Sequence, residues 1–211
     1  MPLRKQYLPP VSPIVATYNY VDVAEGTGMT AFNAFTAEQS TGEKYMLTTS
    51  EPFSHLVSIS GSLGTGVKFS GSFDTAPLNQ PLLLKGSVIA NITWRVTNSS
   101  SSNLNFPFVK LFKWDGSTAT LIGEVSGASI SSAGGVMRTT AMQISGIPST
   151  LIKIGEQIRI QPGIEGVDAG NTPKGFIGCD PQNRADDWFT AGNFATTKLI
   201  ANIPFQINTA Q

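Results

Sequence analysis

Residues 87–98, SVIANITWRVTN, constrain the fold more than any other stretch. Val88, Ala90, Ile92, Trp94 and Val96 fall on one side of an extended chain, while Ser87, Asn91, Thr93, Arg95 and Thr97 fall mainly on the other. A period of two is the signature of a half-buried antiparallel strand and is incompatible with a helix. Residues 151–160, LIKIGEQIRI, repeat it, with Ile152, Ile154, Ile158 and Ile160 sharing a face that Glu156 interrupts. Residues 198–207, KLIANIPFQI, place Leu199, Ala201, Ile203, Phe205 and Ile207 together. Pro204 cannot donate to a ladder, so this strand is predicted to have an edge or a bulge there.

Between these runs lies FPFVKLFKWDGSTATLIGEV, residues 106–125, where Asp115-Gly116 separates two β-rich halves. That dipeptide is a strong hairpin signal. Shorter strand candidates cover residues 14–23, 43–49, 53–60, 66–73 and 136–145. Residues 30–39 have room for a short helix, although Phe32 and Phe35 serve a strand or loop as well. Nowhere does a helical period hold over a dozen residues. About ten strands with closely spaced turn signals predict an all-β antiparallel sandwich or barrel, one domain over residues 14–211. At 211 residues a single β domain of this size can bury a core without disulfides or metals.

Residues 1–13, MPLRKQYLPPVSP, read as an extended N-terminal arm, because proline favours a polyproline path and forbids a helix. Pro2, Arg4, Lys5, Pro9, Pro10 and Pro13 are the predicted subunit contacts, with the arm lying across a neighbouring copy. The same prolines stand where a signal peptide needs an apolar helix, and no run approaches the ~20 apolar residues of a membrane helix. Assembly in a cytoplasm is the expectation that follows. Charged residues make up only 13% of the chain and the formal net charge is zero. Such a surface has no long-range pull toward nucleic acid or anionic membrane, and it suits a subunit covered by copies of itself.

Residues 175–189, GFIGCDPQNRADDWF, are the part most like an active site. They hold the lone Cys179, three aspartates, an arginine and a tryptophan. A cysteine nucleophile needs a base, and the single histidine, His55, sits in what reads as a plain strand, FSHLVSIS. A serine triad would need the same histidine, and there is no G-x-S-x-G elbow. Cys179 therefore reads as a chemically quiet buried thiol. Asp180, Asp186 and Asp187, with Asn183, offer oxygens for calcium, but their spacing lacks the alternation of an EF-hand loop. Arg184 reads as the partner of a neighbouring carboxylate. The glycine-rich GSLGTGVKF (61–69) has Val67 where a phosphate loop requires lysine, and reads as a β turn. Asn91-Ile-Thr93 and Asn98-Ser-Ser100 match glycosylation acceptors, without a secretory signal to give them meaning. Trp94 belongs to the core face, whereas Trp114 and Trp188 are the aromatics open to a ligand. No catalytic residue and no cofactor is expected.

Five segments in order, PLLLKGSV (81–88), LFKWDGSTATLIGE (111–124), LIKIGEQIRI, GFIGCDPQNR (175–184) and KLIANIPFQI, resemble tailed-phage virion structural proteins, notably capsid auxiliary or decoration proteins. The resemblance covers roughly residues 70–207. It implies a jelly-roll-like sandwich, assembly instead of catalysis, and a location in the virion. Its implied partners are copies of the chain, a trimer suiting a decoration protein, and other virion proteins such as the major capsid protein. It also puts an Asp-Pro turn before the final strands, where Asp180-Pro181 stands. Two other functions compete with it. A carbohydrate-binding module of a phage tail or receptor-binding apparatus would display Trp114 and Trp188 in one groove. A sandwich hydrolase would bring two carboxylates together in a cleft.

Overall fold

The structure is a computed structural model that describes residues 16–17, 27–40, 42–64, 66, 68–97, 104–131, 136–166, 173–186 and 196–206. The expectations for residues 1–13, Asp187, Trp188 and Ile207 lie outside them. The described residues form fourteen strands and no helix. The chain opens with β1 (Ala16–Thr17), β2 (Thr27–Gln39), β3 (Gly42–Thr48), β4 (Ser58–Ser62), β5 (Lys68–Ser70) and β6 (Phe73–Asp74). Then come the long β7 (Leu82–Thr97), β8 (Leu104–Trp114), β9 (Ala119–Ser126), β10 (Ile130–Ser131) and β11 (Arg138–Ile152). The last are β12 (Gln157–Gly166), β13 (Lys174–Gly178) and β14 (Ile200–Gln206).

The alternation in β7 does what its period demands. Val88, Ala90, Ile92, Trp94 and Val96 are all buried, and the indole N–H of Trp94 finds the Thr140 hydroxyl at 3.0 Å. The strand is central: β11 lies along one edge, and β14 and β13 lie end to end along the other. From there hydrogen bonding passes through β14 to β2 and β3, and through β13 to β4. A second layer is built on β8 and β12, with β9 and β10 on β8 and β5 and β6 on β12. The short β6 joins the layers, antiparallel to β12 and parallel to β3 through the Met46–Asp74 bridge. The sheet is thus mixed but mostly antiparallel. Inward residues of both layers, among them Leu84, Ile92, Leu111, Ile158 and Ile203, pack into one apolar cluster.

Several local expectations are corrected. Residues 151–160 are not one strand. Gly155 takes φ +84° and the Glu156 N–H bonds the Lys153 carbonyl, so the chain turns from β11 in one layer to β12 in the other. Ile154 sits on that turn and is 67% exposed instead of buried. Residues 30–39 belong to a strand, because pairing with β14 and β3 overrides any local helical preference. The strand expected over residues 53–60 begins only at Ser58, so His55 lies on a bend. Two other readings agree with the sequence. The Asp115-Gly116 hairpin joins β8 to β9, and Pro204 coincides with a bulge between β14 and β7.

Candidate functional site

The stretch that looked most like chemistry folds into a turn tied down from three sides. Asp180 is fully buried and its carboxylate accepts bonds from four protein donors. Oδ2 takes the Arg184 N–H at 2.7 Å and Nε at 3.0 Å, while Oδ1 takes the Gln182 N–H at 3.2 Å and the Arg184 Nη2 at 3.3 Å. Its backbone N–H reaches the Thr197 carbonyl at 3.0 Å. Asn183 adopts φ 56°, a left-handed conformation that asparagine tolerates, and its Oδ1 accepts the Thr197 N–H at 2.8 Å. Arg184 pairs with a neighbouring carboxylate as the sequence suggested. It also donates to the Ser54 carbonyl and stacks its guanidinium 3.7 Å over the Phe53 ring.

Cys179 and His55, distant in sequence, come into one neighbourhood. The Cys179 N–H bonds the Val57 carbonyl at 2.9 Å, two residues beyond His55. The two side chains face different environments, however. Cys179 is wholly buried in the core cluster. Burial, reinforced by the carboxylates of Asp180, Asp186 and Glu43, drives its thiol far above the ordinary range, which disfavours the thiolate. The His55 ring is instead turned outward, its Nδ1 3.5 Å from Glu38 and 3.6 Å from Glu43.

Around His55 lies an open hollow of about 450 Å³ lined by Thr36, Ala37, Glu38, Phe53 and His55. Its floor is held by a hydroxyl pair. Thr36 and Ser54 lie 3.1 Å apart through their hydroxyls, and the Leu56 N–H donates to Thr36 Oγ1 at 2.7 Å. These bonds substitute for a ladder where residues 51–57 run beside β2 without joining the sheet. The sequence reading missed Phe53, Glu38 and Glu43. The signal for the two acids was there: EQSTGE is a hairpin loop that sets Glu38 directly opposite Glu43.

The remaining candidates lie apart from this hollow. Asp186 accepts a bond from Ser58 at 3.0 Å. Among the described residues no group of three or more His, Cys, Asp or Glu is arranged to hold a metal. Trp114 ends β8, with one ring face covered by the Arg159 guanidinium at 3.8 Å. Arg159 is in turn fixed by Asp74 through bonds of 2.6 and 2.8 Å. Among the described residues no helix is long and apolar enough to cross a membrane.

No family model matches the chain, and no curated protein matches it. Solved structures do match. An α-amino acid ester hydrolase aligns with a TM-score of 0.53 and 9% identity, covering 82% of this chain and 36% of that one. An aminopeptidase from a marine sediment Thaumarchaeota archaeon aligns with a TM-score of 0.53 and 9% identity, covering 83% and 37%. A chain of the infectious bursal disease virus VP2 subviral particle aligns at a TM-score of only 0.31, with 11% identity over 71% and 39%, and carries no argument at that score. The chain thus spans just over a third of the length of the two hydrolases. At such identity the likeness shows the fold alone. It nonetheless overturns the expectation that the chain is not an enzyme, because the all-β build found here also occurs within hydrolase chains.

Proposed function

We propose that the chain is a virion structural protein of the capsid decoration or auxiliary type, working through contacts with copies of itself and with other virion proteins. The observation that carries the reading is a set of exposed apolar side chains on a chain with only 13% charged residues. Leu151 of β11 is half exposed opposite Leu83 of β7, on the side of that layer away from the core. Ile154 projects from the following turn, and Leu121 is exposed on β9 of the other layer. A surface with so little charge is weakly protected against association, and these side chains are apolar groups that a neighbouring copy could cover. The proline-rich residues 1–13 belong to the same reading as subunit contacts.

Light scattering on the intact chain tests it. An assembly of several copies is the expected result, and Leu151→Asp with Ile154→Asp should shift it toward smaller species. A monomer at concentrations of tens of micromolar, unaltered by those substitutions, would overturn the reading.

A second reading rests on the fold likeness to the two hydrolases: the chain serves as the β-sheet portion of a hydrolytic enzyme. Turnover of α-amino acid esters or aminoacyl anilides above the uncatalysed rate would favour it.

A further inference from the structure

We propose that the hollow lined by Phe53, His55 and Glu38, with Glu43 beside His55, receives the proline-rich residues 1–13 of a second copy of this chain. The inference rests on the assembly reading above and names where one subunit grips the next.

The hollow is built for a cation. Glu38 and Glu43 are register partners on β2 and β3, and like charges directly opposite on adjacent strands repel. The group between them is a single imidazole, 3.5 and 3.6 Å away. Other acids nearby already have charged partners: Asp180 has Arg184, and Glu51 has Lys198 at 2.8 Å. A guanidinium or ammonium entering between Glu38 and Glu43 would relieve the repulsion. Arg4 and Lys5 match that need, and no acid precedes Asp22 in the sequence.

The hollow is also built for proline. Phe53 is 72% exposed even with Arg184 against one ring face, so it forms a fixed aromatic platform beside the two acids. Proline-rich segments dock on such surfaces because their extended helix is formed in advance and little freedom is lost on binding. Pro2, Pro9, Pro10 and Pro13 flank the two bases.

A second copy is the occupant that the assembly reading calls for, and strand order limits how the chain's own arm could pair with β2. On β2, β14 pairs with residues from Thr27 to Asn33, so β1, which pairs with Met29 and Thr30, must lie on the opposite edge. The pairing of β3 with Asn33–Gln39 is on that same edge. From Asn33 onward that edge is taken by β3, so the chain leading into β1 cannot go on pairing with β2 as far as Glu38.

A charge exchange between copies tests this, with self-association read by analytical ultracentrifugation. One variant carries Arg4→Glu and Lys5→Glu, and another carries Glu38→Lys and Glu43→Lys. Each alone should self-associate about tenfold more weakly than the unaltered chain, whereas an equimolar mixture should regain most of the loss. Phe53→Ser should weaken association about fivefold without touching a charge. Circular dichroism checks that each variant keeps its fold. If the unaltered chain associates and the exchanges change nothing, the docking site is wrong while the assembly reading stands. If each exchange weakens association but the mixture regains none of it, the contact is not between copies. If the unaltered chain never associates, both fall.

Discussion

Two aspartate-led turns invite comparison. Asp115 and Asp180 both fold the chain back by accepting backbone N–H groups from the residues just after them. Asp115 Oδ1 takes Ser117 N–H at 2.8 Å and Thr118 N–H at 2.7 Å, while Asp180 takes Gln182 and Arg184. The resemblance stops at burial. Asp115 stands at the exposed tip of a hairpin, and its partners are all within three residues. Asp180 is sealed under the sheet, and its turn reaches Thr197 on one side and, through Arg184, Ser54 on the other. The same side-chain chemistry makes a local turn in one place and a long-range staple in the other. Burial, with the charge partner it forces, makes the difference.

The largest effect should therefore come from Asp180→Ala. It removes four hydrogen bonds and leaves Arg184 without its carboxylate, in a site where Phe53 and Ser54 hold the guanidinium. Breaking a buried pair from one side costs about 3–5 kcal/mol, and the partial exposure of Arg184 places this case near the lower end, about 3 kcal/mol. Denaturant unfolding monitored by far-UV circular dichroism measures it. A loss no larger than that of an exposed aspartate would show that the turn is a passive loop.

The two turns also differ in how readable they are. Asp115-Gly116 lies between β-rich runs, and everything that shapes it is written within a few residues. The strands of β7 and β14 were legible for the same reason, since their inward faces follow a strict period. Legibility failed where a residue's environment depends on remote chain. Ile154 fits the apolar period of its neighbours, but a turn between layers carries it into solvent. His55 looked like part of a strand because FSHLVSIS alternates. Its backbone is instead held by Thr36, whose carbonyl accepts the His55 N–H at 2.8 Å. The hollow needed two separate facts, the hairpin register that opposes Glu38 to Glu43 and the packing of residues 51–57 against β2. Only the first was in the local sequence.

Cys179 gives a second way to sharpen the contrast, because it is the residue next to Asp180 and shares its burial. Its thiol is held protonated by burial and by neighbouring carboxylates, so thiolate chemistry requires opening of the structure. Labelling of the folded protein by a thiol reagent at neutral pH should be at least about a hundredfold slower than of the unfolded chain. The rate should rise in Asp180→Ala and stay unchanged in Asp115→Ala. Rapid labelling of the folded protein would mean that the turn does not seal the core and that the thiol is available as a nucleophile.

The smallest effect is expected from Asp115→Ala. Hydrogen bonds from the Thr118 and Ser117 backbone, and then from the Ser117 hydroxyl, hold the Asp115 carboxyl below its ordinary range. A carboxylate whose folded pKa is depressed contributes stability that is fully present above its unfolded pKa. That contribution is lost as pH falls through the lower folded value. Substitution should thus lower the melting temperature slightly at neutral pH. The difference from the unaltered protein should shrink as the pH drops below the usual carboxylate range, where both proteins lack the charge. Because the group is exposed and its partners are local, strands β8 and β9 should keep their register, with Gly116 at φ +97° still supplying the turn. Amide exchange on Thr120 and Leu121 reports that register. Accelerated exchange along the whole of β9 would show that Asp115, like Asp180, anchors structure well beyond its own turn.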